Sequence, residues 1–543
     1  MGPAGSGAKR MAEFLLGIDA GGTAVKVAVI SADGRECGVA GTTLRAGHPA
    51  PGFSERDPDA MWQALCDNTR RAMALAGIGA GDIAAIGVTG YGNGFYLIDA
   101  AGHPTTPGIL APDIRAAEVI ADWQRDGRDA AQLERTWQHA WAGKPGPLLA
   151  WFQRHRPQVL RDSATLLMCK DYLRYRLTGI RAAEVSDLST SGQIPGDRRA
   201  IDAELFEILG LDDCLRLMPP VIESMTVAGE LTSAAAEAMG LKPGIPVSAG
   251  CCDNLAIMYG SGVTGTDTVV VVSGTWGLHQ SFIEKPVTDG SLVICGHGAV
   301  PGEYLAIEGS PTSASTLEWF VDTFVRGHVA PGSGKDQSDP YEDCNQAVAA
   351  TSADDPPVYF MPYLNGAIDD AAARGSLIGF SAWHGFGHMV RAVYEGVAFE
   401  HRRHLERLLT ARPRPAKARF AGGAARSAIW SEIFAASLDL PLEKPRATEL
   451  GALGIAIQAS VATGRHRDLA GACAAMTGVS HTVMPQPGLR RQLDRRYHVY
   501  RELSAALAPH WRNIAPSEIV AAGAADDKSI ERQEDKMARS TGR

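Results

Sequence analysis

A hairpin built around glycine occurs twice in this chain, and that repetition restricts its fold more than any other feature. EFLLGIDAGG followed by TAVKVAVISADG sets two β-rich runs on either side of Gly21 and Gly22, and Asp33-Gly34 closes the second run with a turn signature. TVVVVSGTWGLHQSFI repeats the device, with Ser273, Gly274 and Thr275 standing at its turn as Gly21 to Thr23 stand at the first. The repetition predicts two related α/β halves. The length of 543 residues agrees, because single cores stop growing at ~250 to 300 residues. A cleft between two domains is then available for chemistry.

Other stretches fill in the layers. A helix is predicted from Pro58 through MWQALCDNTRRAMALAG, and IAAIGVTGYGNGFYLIDAAG repeats the strand, glycine turn, strand pattern. AEVIADWQRDG and LLMCKDYLRYRLTG read as helices. The first domain is expected over 13–259, ending where Met258 and Tyr259 pass into the glycine-rich YGSGVTG, and the second over 260–511. MGPAGSGAKRMAE lacks an apolar centre and reads as a flexible leader (1–12) rather than a secretory signal. The polar segment 512–543 is expected to be a disordered tail.

Composition excludes several functions. Apolar residues make up 45% and charged residues 21% of the chain, and no apolar run reaches the ~18 residues that span a bilayer. A net charge of -9 without long runs of one sign argues against nucleic acid and anionic membranes as partners. Nine cysteines without a C-x-x-C pair suit a reducing cytoplasm.

The glycine turns suggest chemistry. Polyphosphates need backbone N–H groups at close range with a hydroxyl or cation beside them; Gly21 and Gly22 permit the approach, and Thr23 and Lys26 supply donors. Asp19, ending the first strand, is suited to holding Mg²⁺ through water. The competing reading is a structural hairpin with a solvated lysine. A third glycine signal, RFAGGAARSAIW, sets Gly422 and Gly423 between a short strand and a helix, where backbone can approach a ribose or base.

Together these segments resemble the FGGY carbohydrate kinases over roughly residues 14 to 500. GIDAGGTAVK is similar to the family's first phosphate motif, VVVVSGTWG to its second and FAGGAARSAIW to its adenosine motif, with Ala424 and Ser427 beside the glycines. GSLIGFSAWHGFGHMVRAVYEGVAFE is similar to the C-terminal signature through Gly375, Gly379, Arg391, Glu395 and Gly396, and ELGALGIAIQASVATG to the segment leading to the last helix. The resemblance implies two ribonuclease H-like domains of the actin, hexokinase and Hsp70 type flanking a deep active-site cleft. It also implies ATP with Mg²⁺, and a homodimer that no residue here reveals.

On the same resemblance Asp253, in VSAGCCDNLAIMYG, is the base that accepts a substrate hydroxyl proton, beside Asn254 on the sugar. Taken alone, Asp253 reads more readily as a helix cap, and the resemblance reverses that preference. The implied sugar contacts are Gly92, Asn93, Asp113, Arg115 and Asp187, with Lys170 and Asp171 supporting the substrate loop or decorating a helix; individually Asp113, Arg115 and Asp187 read more readily as solvated surface charges or loop hydrogen bonders. Tyr91 stands where several family members have Gln. LERTWQHAWAGKPGPLLAWF, KDYLRYRLTG and EGSPTSASTLEWF resemble the branch acting on L-xylulose. A ketopentose is therefore the expected acceptor, with erythritol or another polyol, or an inactive sugar-binding protein of the same fold, as alternatives.

Three further signals are set aside. GSGKDQ around Lys335 lacks the leading glycine and the Ser/Thr of a P-loop. EHRRH puts His401 and His404 three apart on a helix without a third ligand in view, which suits a solvated helix face better than zinc. Trp319 and Phe320 read as packing.

Overall fold

The computed structural model describes residues 13–326, 339–367, 370 and 372–514. The leader, the loop around Lys335 and residues 515–543 lie outside them. The chain forms two compact units: Met1–Thr264 with Phe282–Leu305 and Arg446–Gly478, and Gly265–Ser281 with Ala306–Pro445 and Val479–Arg543.

Both units use one sheet plan. In the first, strands Phe14–Ala20, Ala24–Ile30 and Glu36–Thr43 form an antiparallel meander. Ile83–Gly90 pairs parallel with Phe14–Ala20, Pro246–Ser248 follows parallel, and Val227–Glu230 closes the row antiparallel. In the second, Thr268–Ser273 and Gly277–Ile283 form the hairpin, flanked by Tyr304–Ser310. Lys417–Gly422 and Leu442–Pro445 continue parallel, and Val479–Val483 closes antiparallel. The order of six strands corresponds, as the duplicated hairpin predicts, and the second sheet adds Ile294–His297 beside Tyr304–Ser310. The β-branched runs are buried on both faces, which explains why they lack alternation.

Helix signals also carry over. Asp57 caps Pro58–Ala76 by accepting from Asp59 N and Ala60 N, and Gly77 ends it at φ 66°. Ala117–Asp126 and Cys169–Thr178 end on the left-handed glycines Gly127 and Gly179.

The second half does not run unbroken to Trp511 as the sequence suggests. Helix Leu450–Ala462 belongs to the first unit. It is apolar all round and buried from Leu450 to Ser460, as expected of a helix enclosed by protein. Glycines bring its backbone against its neighbours: a Cβ on Gly17 would strike the carbonyl of Ala452, one on Gly87 that of Ile455, and one on Gly454 that of Ala256. Only residues without side chains allow this approach to strands Phe14–Ala20 and Ile83–Gly90 and to helix Asp253–Gly260. At the other end of the chain, helix Trp511–Ile514 continues past the expected start of the tail.

The C-terminal signature proves architectural. Helix Phe386–Leu408 carries Arg391, which donates to Thr351 Oγ1 (2.6 Å) and to the carbonyls of Val348 and Thr351, while Glu395 accepts from Arg496. A Cβ on Gly396 would strike the Phe360 carbonyl.

Candidate active site

In the first unit, Asp19 and Lys26 face each other across the first hairpin, and Lys26 Nζ reaches Glu449 Oε2 at 2.7 Å. Gly21, Gly22 and Thr23 form the turn. Arg56 holds it from behind: its guanidinium is buried and donates to the carbonyls of Gly21 (2.9 Å), Gly22 and Leu44. Because a trans peptide points N–H opposite to the preceding C=O, the N–H groups of Gly22 and Thr23 are turned away from Arg56. Thr23 is exposed. Arg56 escaped sequence reading because a lone arginine before a helix carries no pattern.

Asp253 opens helix Asp253–Gly260, but the cap position belongs to Cys252, which makes no side-chain cap bond. The capping reading therefore does not describe Asp253, whose Oδ1 accepts from Asn254 Nδ2 at 3.0 Å. Burial, then the negative charges of Asp19 and Asp187, raise its carboxyl to about 8. These outweigh the helix N-terminus, which favours the anion. Asp19 is raised to about 6, by burial first; Lys26 opposes the rise and Glu449 adds to it.

Asp187 lies on helix Val185–Thr190, capped by Glu184. Lys170 Nζ is 2.8 Å from Asp171, 3.2 Å from Glu184 and 3.1 Å from Asp187, and Arg174 pairs with Asp171 at 2.7 Å. All five side chains are fully buried. Lys170 and Asp171 are therefore members of a buried ion-pair network and not solvated groups on a helix face. Burial raises Asp187 to about 7, Lys170 opposing and Asp171 and Glu184 assisting.

Asp113 and Arg115 form a buried two-pronged pair (2.9 and 2.8 Å), with Glu55 Oε1 2.7 Å from Arg115 Nη2 and the Phe53 ring 4.0 Å from the guanidinium. The solvated-surface reading fails for Asp113, Arg115 and Asp187 alike. Gly92 stands beside Asp187: a Cβ there would lie 3.6 Å from Oδ1. Asn93 adopts φ 64°. Among the described residues Asn93 Oδ1, Arg115 Nη1 and Asp187 Oδ1 are buried without a hydrogen-bond partner, whereas Asp187 Oδ2 faces Lys170 Nζ at 3.1 Å. Native interiors rarely leave such groups unsatisfied. Tyr91, by contrast, turns into the core, bonding Tyr96 Oη (3.0 Å) and the Ile109 carbonyl (3.2 Å).

In the second unit, Ser273 and Gly422 end neighbouring parallel strands in register. Gly422, at φ 95°, presses against the Ser273 carbonyl, where a side chain would collide. Gly274 and Thr275 follow, and Ser315 ties them down through N–H to Gly274 O (3.3 Å) and Oγ to Thr275 O (2.9 Å). A pocket of about 490 Å³ opens beside the turn, lined by Gly274, Thr275, Gly423 and Ser427. Tyr394, Asn345 and Trp430 also line it. Gly422 and Ala424 are not among its lining residues; Gly422 shapes the strand end and Ala424 is buried. Ser427 caps helix Ala428–Leu438 at Trp430 N and donates to Asn345 Oδ1 at 2.6 Å. Tyr394 stacks on Trp430 at 4.4 Å. These groups come from separate helices; Tyr394 and Trp430 lie inside segments singled out in the sequence, which mark neither as a pocket residue, and Asn345 lies in no such segment.

His401 and His404 are buried, contrary to the solvated face expected for EHRRH. The Arg-rich appearance misled because the arginines flank the two histidines on other faces of the helix. No group of three His, Cys, Asp or Glu able to hold a metal occurs among the described residues, and no described helix is long and apolar enough to cross a membrane.

Comparison with known proteins agrees with this geometry. Residues 14–260 match the FGGY family of carbohydrate kinases, N-terminal domain, and residues 269–463 its C-terminal domain. The L-xylulose/3-keto-L-gulonate kinase of Escherichia coli is 32% identical over 92% of this chain and 98% of its own length. The erythritol kinase of Brucella abortus is 28% identical, over 94% and 99% respectively. The crystal structure of xylulose kinase from Rhodospirillum rubrum superposes with a TM-score of 0.80 at 26% identity, covering 92% of this chain and 99% of that one.

Proposed function

The chain belongs to the FGGY family of carbohydrate kinases, and from that premise we propose that it transfers the γ-phosphoryl group of ATP to a hydroxyl of a neutral ketopentose such as L-xylulose. The observation that carries the reading is Asp253, a half-buried carboxyl at the start of helix Asp253–Gly260, raised to about 8 by desolvation and by the charges of Asp19 and Asp187. A base is most effective with a pKa near the working pH. The hydroxyl oxygen attacks the γ-phosphorus, its proton passes to Asp253, and the bond from the γ-phosphorus to the bridging oxygen breaks to release ADP.

In this reading Gly21, Gly22 and Thr23 approach the phosphates through outward N–H groups, with Lys26, tied to Glu449, as a neighbouring cation. Ser273, Gly274 and Thr275 form the second phosphate turn, and the pocket beside Gly423 and Ser427 takes the adenosine. Gly422 and Ala424 stay behind that pocket, Gly422 at the strand end and Ala424 in the core. Asp19 suits Mg²⁺: it is a hard oxygen donor near further carboxylates, and a divalent cation would relieve the charge that lifts Asp253. Mg²⁺ supplies charge neutralisation on the phosphate oxygens.

The acceptor is read from the unsatisfied atoms. Asn93 Oδ1 and Asp187 Oδ1 call for donors, which sugar hydroxyls provide, and Arg115 Nη1 calls for an oxygen acceptor. Gly92, Asp113 and Asn254 frame these groups. The nearby cations are already matched, Arg115 by Asp113 and Glu55 and Lys170 by three carboxylates. A sugar acid would bring a carboxylate towards Asp187 without a free counter-charge, so a neutral sugar is favoured over the keto acid named for the E. coli relative. A polyol such as erythritol is the second acceptor class, since hydroxyls alone satisfy most of the unpaired atoms.

All nine cysteines are free thiols, which suits work in the reducing, ATP-rich cytoplasm. A homodimer rests on family likeness and is read by light scattering. ADP release measured against ketopentoses, polyols and sugar acids tests the assignment. Stimulation by a neutral ketopentose is expected; preference for a sugar acid overturns the acceptor class, and no stimulation by any sugar overturns the reaction.

A further inference from the structure

The histidines of EHRRH take part in a buried hydrogen-bonded chain that ends at the second glycine turn. His279 Nε2 lies 2.9 Å from His401 Nδ1, His401 Nε2 lies 2.8 Å from Ser313 Oγ, and Ser313 Oγ lies 2.9 Å from Ser273 Oγ. All four side chains are fully buried. The chain draws on four elements: strand Gly277–Ile283, helix Phe386–Leu408, the loop after strand Tyr304–Ser310, and the end of strand Thr268–Ser273.

His401 touches both legs of the turn. Ser273 and Gly277 are register partners across it. His401 reaches Ser273 through Ser313, and a Cβ on Gly277 would lie 2.9 Å from His401 Nε2, so the imidazole fits only because residue 277 has no side chain. The Phe434 ring stands edge-on to His401 at 4.9 Å and fixes its plane. Burial holds both imidazoles neutral, with His401 lowered to about 3. Each ring thus has one N–H and one lone pair, and the chain runs with a single donor-to-acceptor sense. An apolar residue would fill this volume without the cost of satisfying two ring nitrogens in the core, which argues that the chain does more than pack.

We infer that His401 is a positioning residue for nucleotide use: through Ser313 it fixes the Ser273 hydroxyl and, against Gly277, the spacing of the turn that presents Gly274 and Thr275. This rests on the reading of that turn as an ATP phosphate site. His401 itself makes no contact with the nucleotide.

The test compares KM for ATP, KM for sugar, kcat and melting temperature in His401→Leu, His401→Gln, Ser313→Ala and Thr275→Ala. His401→Leu and Ser313→Ala are expected to raise KM for ATP by ~tenfold, the loss of one oriented hydrogen bond, with sugar KM within about twofold. His401→Gln, whose amide can donate or accept a hydrogen bond near the Nε2 position, is expected to recover much of the loss. Ser313→Ala keeps the inference testable should His401→Leu fail to fold. If Thr275→Ala raises KM for ATP while the His401 and Ser313 variants change only melting temperature, the positioning role is overturned. If Thr275→Ala leaves ATP use unchanged, the turn is not a phosphate site, and that failure is distinct from the first.

Discussion

Gly451 stands directly against Asp19: a methyl group added to the glycine would collide with the Oδ2 atom of the aspartate. The first turn of helix Leu450–Ala462 comes this close because residue 451 has no side chain. Helix N-termini stabilise nearby negative charge, so the contact both orients Asp19 and favours its ionised form. Gly451→Ala is expected to displace the carboxylate and lower turnover by ~10²-fold, the scale of a misplacement of about 1 Å at a reacting centre. Steady-state turnover at saturating Mg²⁺ checks it; parental turnover would remove Asp19 from the reacting phosphates.

Asp253→Asn preserves size and most hydrogen bonding while removing the base. Turnover is expected to fall by ~10² to 10⁴, with ATP affinity nearly unchanged. Because Cys252 holds the cap position, helix stability gives no competing explanation for such a loss. Near-parental turnover in a coupled ADP assay would dismiss Asp253 as the base.

Asp253 also sets opposite pH trends for activity and stability. Its base form is required, so kcat/KM for the sugar is expected to rise with pH until the carboxyl has ionised, which without Mg²⁺ needs a pH of about 8 and with Mg²⁺ beside Asp19 a lower one. Its folded pKa lies above the ordinary value of 3.8, so the folded protein binds the extra proton between those pH values. The resulting stabilisation is complete below 3.8 and is lost as pH rises through about 8. Asp253→Asn removes that loss, and its melting temperature relative to the parent is expected to climb from pH 4 to about pH 9. A difference independent of pH would rule out the raised carboxyl.

Lys170 is the only cation within ion-pair distance of Asp187 among the described residues. Lys170→Met leaves three buried carboxylates short of one positive charge, and breaking such a buried pair costs ~3 to 5 kcal/mol. Denaturant unfolding at neutral pH is expected to register this loss, with partial recovery in acid as the carboxylates protonate. Equal destabilisation at both pH values would mean that lost packing, rather than charge, dominates.

The two sheets were readable because β-branched runs around a glycine turn are local patterns that both hairpins repeat. Asp253 was not readable from its neighbours: Asp at a helix start is commonplace, and only family likeness separated it from a cap. Arg56 and Asn345 carry no local signature, since each acts on segments far away in sequence. The histidines were misjudged for a related reason. Periodicity reports that positions 401 and 404 share a helix face, whereas which face is covered depends on strands more than a hundred residues earlier. Likewise helix Leu450–Ala462 announced its burial through composition but gave no sign of which unit would bury it.

That late helix also orders events during synthesis. Strands Phe14–Ala20 and Ile83–Gly90 leave the ribosome early, yet the segment that covers Gly17 and Gly87 does not exist until position 462 has been translated. Until then the nascent first unit exposes an apolar groove shaped for a backbone, and most of the second unit emerges while it waits. Contacts so distant along the chain are slow to close. A fragment ending at Thr264 therefore lacks a structural layer of its own unit, and chaperone occupancy of nascent chains should persist until the ribosome has passed residue 462.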